Sequence, residues 1–149
     1  MATKTQMTAQ EQIRALLDDR AAAITARDAR RAVAHYAPEA VSCTLAPPLR
    51  YAGDEVTDPA GIESWFQTWD GPIGLDIGQV VIEAGDSVAF CHGLTHMTGT
   101  KTDGVAVDLW YRSTVGLRRT PAGWQITHEH DSTPFYMDGS DRAATDLRP

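Results

Sequence analysis

At 149 residues, 42% hydrophobic and 22% charged, the chain has the size and composition of one globular domain built on one core. A net charge of -7 and a pI of about 5.0, with neighbouring basic residues only at Arg30-Arg31 and Arg118-Arg119, argue against nucleic-acid partners, which need a basic footprint. Two cysteines, Cys43 and Cys91, are too few for a disulfide framework and read as buried free thiols in apolar, strand-like surroundings. Residues 1–7 are polar and lack the apolar stretch of a signal peptide, and no apolar run reaches bilayer length, so a cytoplasmic, membrane-free protein is expected.

Thr8 followed by Glu11 is an N-cap with its capping-box partner, and Ile13, Leu16, Leu17 and Ile24 continue as a helical stripe to about Arg27. Asp28 caps a second helix, predicted over 29–36 and ended by Pro38. A short strand is predicted over 41–45, stopped by Pro47-Pro48. Asp58-Pro59 opens a third helix through Ile62, Trp65, Phe66 and Trp69, which Asp70-Gly71-Pro72 breaks. Four long strands follow, over 75–83, 88–100, 105–118 and 124–135, separated by turns at Gly85-Asp86, Asp103-Gly104 and Pro121-Ala122-Gly123. The expectation is one domain over 1–149 with polar, flexible ends at about 1–7 and 139–149. Three early helices would cover one face of an antiparallel meander, an α+β architecture with room for a pocket between the layers.

Four segments sharpen this reading: Tyr36-Ala37-Pro38-Glu39-Ala40-Val41, Leu45-Ala46-Pro47-Pro48-Leu49, residues 108–114 (Asp-Leu-Trp-Tyr-Arg-Ser-Thr), and residues 123–135 from Gly123-Trp124 to Pro134-Phe135. In this order and spacing the chain resembles the NTF2-like superfamily, in its ketosteroid isomerase homologue or SnoaL-like branch, over roughly Thr8 to Asp138. The resemblance implies a cone-shaped, cystatin-like α+β barrel, commonly dimeric, with a ligand pocket between sheet and helices. It does not imply one reaction, because the superfamily holds isomerases, cyclases, dehydratases, epoxide hydrolases and non-catalytic binding modules. The steroid isomerases pair a carboxylate on the first strand with a tyrosine on the first helix. Here the first strand offers Ser42, Cys43 and Thr44, and the first helix has no tyrosine.

Simple alternation along the last strand groups Trp124, Ile126, His128, His130 and Ser132 on one face, taken as interior because it begins apolar. Across the hairpin, Arg112 is expected opposite His130, Thr114 opposite His128, and Trp110 opposite Ser132. The site read from this wall has His128 and His130 as proton-moving groups and Arg112 as anchor for an enolate or carboxylate. Trp110, Thr114, Trp124, Ser132, Tyr36, Thr44 and His92 would contact the substrate. The same His-x-His can instead be a satisfied pair on a solvent or dimer face, or part of a metal site. No metal and no cofactor is expected, since His128 and His130 supply only two converging ligands. The expected ligand is a small, apolar, oxygenated molecule in a cofactor-free isomerase, cyclase or lyase. The alternative is a non-catalytic ligand-binding or dimerisation module. A homodimer is expected through Val105, Val107, Leu109, Tyr111, Val115 and Leu117, the face assigned to the outside.

Overall fold

The computed structural model describes residues 5–149, so residues 1–4 of the flexible start expected over about 1–7 lie outside the described residues. Helix α1 (Ala9–Thr25) starts where its cap requires. Thr8 Oγ1 accepts the Glu11 amide at 3.2 Å, and Glu11 accepts the Thr8 amide at 2.7 Å. Its buried stripe is Ile13, Leu16, Leu17, Ala23 and Ile24. Helix α2 (Ala29–Val33) follows the Asp28 cap but stops short of its predicted length, because the chain becomes extended at Tyr36.

Strand β1 (Tyr36–Cys43) therefore starts five residues before the predicted Val41, and a register shift accommodates Pro38, which lacks a ladder donor. Strand β2 (Tyr51–Ala52) and helix α3 (Asp54–Thr57) come next, then α4 (Pro59–Phe66), capped by Asp58. Strand β3 (Trp69–Ile77) runs through the expected break at Asp70-Gly71-Pro72. It can do so because it is an edge strand whose pairing is irregular between Asp70 and Gly74. The single strand expected over 75–83 is instead divided between β3 and β4 (Val81–Ala84), which are separated at 78–80 and both pair with β5 (Val88–Lys101). Together β5, β6 (Ala106–Thr120) and β7 (Gly123–Ser132) form the antiparallel meander the later turns foretold.

The sheet has seven strands in the order β2-β1-β7-β6-β5-β3, with β4 also on β5. β1 lies parallel to β7, a long-range pairing that no local pattern announces. The curved sheet is open, with β2 and β3 at its edges, and among the described residues four helices accompany it rather than three. Two core clusters tie the layers together. One joins Ile13, Leu16 and Leu17 of α1 to Cys91, Val115, Leu117, Trp124 and Ile126 of the sheet. The other joins Ala23 and Ile24 to Ala29, Ala32, Phe66, Trp69 and Ile73. The polar tail doubles back: Phe135 pairs with Ala143, the Ala144 amide donates to Pro134, and Ala144 is buried. Among the described residues no helix is long and apolar enough to cross a membrane.

Candidate ligand cavity

Between the two core clusters lies a cavity of about 410 Å³, bounded by α1, α4, the 44–51 segment and the concave face of the sheet. Leu17, Ile24, Ile62, Trp65, Leu75 and Met97 contribute to its apolar wall. This size and lining suit a small organic ligand.

Its polar end is built by four strands, β1, β5, β6 and β7, and one helix, α1. Arg20 sits on the apolar stripe of α1, one turn beyond Leu16 and Leu17. Its guanidinium clamps the buried Glu129 of β7, with Nη1 at 2.6 Å from Oε1 and Nη2 at 3.0 Å from Oε2. Nη2 also donates to Tyr36 Oη at 2.6 Å, and the Tyr36 hydroxyl donates to Glu129. Burial works against the charge on Arg20, but Glu129 and Tyr36 outweigh it and hold the guanidinium above its usual pKa. Arg20 Nε is sealed from solvent and has no partner. Burial, first of all, lifts the Tyr36 hydroxyl well above the ordinary phenol range.

Beside this clamp, Ser113 donates to Asp131 Oδ1 at 2.8 Å, and its oxygen lies 2.8 Å from that of the buried Thr95. Among the described residues Asp131 Oδ2 has no hydrogen-bond partner. Burial, reinforced by the neighbouring Glu129, pushes the Asp131 carboxyl up to about 7, while Ser113 and Arg20 pull the other way. Tyr111, opposite Thr95 in the ladder, is buried on the same wall and its pKa is raised by burial, so it is a neutral O–H at physiological pH. A carboxyl poised near neutrality, an undissociated phenol and an apolar enclosure can move a proton and receive a developing negative charge.

The interior expected from simple alternation is corrected here. The hairpin pairs Thr120 with Gly123, and the register then shifts between Gly116 and Leu117, with Leu117 opposite Ile126 but Gly116 opposite His128. Thr127 is the extra residue, so the inward parity changes from Trp124 and Ile126 to Glu129 and Asp131. His128 and His130 are exposed on the outer face, 6.3 Å apart, and so is Arg112, whose Nε donates to Ser132 at 3.1 Å. Arg112 lies opposite Ser132 and Thr114 opposite His130, each two residues from the expected pairing. None of these five residues lines the cavity.

Trp110 is also outside, stacked on His96 at 4.4 Å and 4°. Trp124 is interior but belongs to the closed core, its Nε1 donating to Gln12 at 3.1 Å. Tyr36, Thr44 and His92 do contribute to the lining, although the His92 side chain is exposed and stacks on Phe90. The face assigned to dimerisation is likewise inverted, since Tyr111, Val115 and Leu117 are buried beneath the helices. Cys91 is a packing residue whose thiol burial pushes up to about 11. Among the described residues no three His, Cys, Asp or Glu side chains gather as a metal site.

The strand logic missed Arg20, Thr95, Tyr111, Ser113, Glu129 and Asp131. One signal for them was in the sequence. An arginine in the middle of an apolar helical stripe needs a buried acid, and the acids on β7 were available to it.

An open curved sheet cradling a cavity beneath a long first helix defines a class, the NTF2-like fold. An NTF2-like protein of unknown function from Pseudomonas putida KT2440 superposes with a TM-score of 0.83 at 29% identity, covering 97% of this chain and 100% of that one. An NTF2-like superfamily protein from Salmonella enterica gives 0.75 at 16% identity, covering 90% and 96%. A ketosteroid isomerase-like protein from Erwinia carotovora gives 0.67 at 24%, covering 81% and 92%. The family model of the SnoaL-like domain matches residues 13–136, and the chain belongs to that family. No protein with a curated description matches it.

Proposed function

We propose that the cavity is the active site of a cofactor-free acid/base enzyme, an isomerase, cyclase or lyase, acting on a small, apolar, oxygenated molecule. Asp131 takes the role that the sequence pattern suggested for His128 or His130. The observation that carries this reading is a half-buried carboxyl on the cavity wall, with one oxygen held by Ser113, the other free, and a pKa pushed up to about 7. Asp131 Oδ2 would accept a proton from carbon beside a carbonyl, and the electron pair would move onto the carbonyl oxygen. Tyr111 would donate its hydroxyl hydrogen bond to that oxygen. Return of the proton to another carbon gives isomerisation, while attack of the carbanion on a carbonyl gives cyclisation. The Arg20–Glu129–Tyr36 clamp shapes the end wall.

The protein would work as a cytoplasmic homodimer, with a second copy covering the outer face of β5–β7. Val88, Phe90 and Leu94 are exposed there, and no helix of the described chain packs on it.

The test needs no knowledge of the natural substrate. Exchange of α-protons of 2-tetralone with deuterium from the solvent, followed by NMR, should be accelerated by the protein near pH ~7. Asp131→Asn should remove about two orders of magnitude or more of that acceleration, and Tyr111→Phe should reduce it. Exchange no faster than in buffer, or unchanged in Asp131→Asn, would leave only a binding module.

A further inference from the structure

We infer that the cavity selects its ligand by charge, taking apolar molecules whose polar end is a hydrogen-bond donor, a hydroxyl or an ammonium, and rejecting carboxylates and other anions. This rests on the cavity being the ligand site, and is independent of whether chemistry follows there.

Among the described residues, the only Lys or Arg side chain in the lining is Arg20. Its Nη1 and Nη2 are committed to Glu129 and Tyr36, and its remaining nitrogen, Nε, is closed off from any probe the size of water. A ligand anion could recruit that charge only by breaking the clamp and stranding Glu129 in a buried site. The same lining holds four carboxyl groups, Glu55, Asp58, Glu129 and Asp131. Glu55 and Asp58 accept backbone amides at 3.0 and 2.9 Å and neutralise no cation. Glu55 and Asp58 are exposed, so the unanswered acid at the enclosed end is Asp131 alone, in a chain of net charge -7.

Groups facing Asp131 come from the elements packed around it: Arg20 of α1, Tyr36 of β1, Tyr111 and Ser113 of β6, and Glu129 of β7, with Thr95 of β5 against Ser113. Glu129 and Arg20 answer each other, which leaves Asp131 as the charge that a ligand meets. With Ser113 donating to Oδ1, the ionised carboxylate presents its free Oδ2 as an acceptor, and an acceptor asks for a donor.

The experiment is calorimetric titration with three ligands of one shape: 2-naphthalenemethanol, 2-naphthylmethylammonium and 2-naphthoate. At about pH 8 the naphthoate should bind at least about tenfold more weakly than the alcohol, and the ammonium at least as tightly as the alcohol. Asp131→Asn should narrow the naphthoate deficit and remove the ammonium's advantage. If that variant does not fold, the wild type at about pH 5.5, where Asp131 is protonated and naphthoate is still ionised, should show the same narrowing. Naphthoate within about threefold of the alcohol at the higher pH overturns the inference, as does failure of all three to bind. Charge selection without α-proton exchange would remove the catalytic reading and leave this one standing.

Discussion

Asp131 is the residue on which the functional reading turns, and its environment has a cost that stability measurements can read. Its folded pKa is about 7, against ~3.9 for an aspartate in an unfolded chain. Between those values the native state keeps a proton that the unfolded state has shed. Stability from this group is therefore full below the unfolded pKa and is lost as pH rises through about 7. Asp131→Asn cannot ionise, so it should be more stable than wild type near pH ~8 in urea denaturation, by up to roughly 4 kcal/mol for a pKa raised from ~3.9 to about 7, with little difference near pH ~4. An equal effect at both pH values would mean that the carboxyl is not desolvated. Such a site trades stability for chemistry, a common feature of proton-transfer groups.

At the scale of elements, local signals were readable and relations between elements were not. The Thr8–Glu11 capping box, the Asp28 and Asp58 caps and the hairpin turns each act within a few residues, and each marks an element boundary in the structure. The inward face of β7 depends on one extra residue at Thr127, and nothing in Ile126-Thr127-His128 declares it. That single bulge exchanges His128 and His130 for Glu129 and Asp131. The parallel pairing of β1 with β7 is equally silent, because it joins residues far apart in the chain. Arg20, an ion on an apolar stripe in need of a partner, carried a signal that the strand pattern passed over.

Close approach between β3 and β5 supplies an independent check on the packing of this layer. At Gly99, with φ of +149°, an added Cβ would lie 2.8 Å from Trp69 and 2.9 Å from the Pro72 carbonyl. Gly99→Ala should cost about 2 kcal/mol, since neither an indole in the core nor a backbone oxygen can step aside cheaply. At Gly116 the nearest atom is His128 Cβ at 3.5 Å, an ordinary contact, so Gly116→Ala should cost clearly less. Equal unfolding midpoints for the two variants would show that β3 and β5 do not meet this closely.

Over the whole molecule, one sheet has too few helices for two faces. The concave face is occupied by α1 and the cavity, while Val88, Phe90 and Leu94 stand on the other side at 62%, 50% and 41% exposure. Light scattering at micromolar concentration should return a dimer mass, and Phe90→Glu should shift it toward the monomer without changing the far-ultraviolet spectrum. A wild-type monomer would contradict the proposed interface. The cavity lies on the opposite face from this surface, so the monomeric variant should still bind the naphthalene probes.

The central claim is that Asp131, rather than either exposed histidine of β7, is the proton-transfer group of an enclosed cavity. The most direct measurement is a carboxyl-carbon NMR titration of protein labelled at aspartate, with Asp131→Asn used to assign the signal. The account predicts that this one resonance titrates near 7 and moves when a neutral ligand enters the cavity. A midpoint near the ~3.9 of a free aspartate, unaffected by ligand, would contradict it.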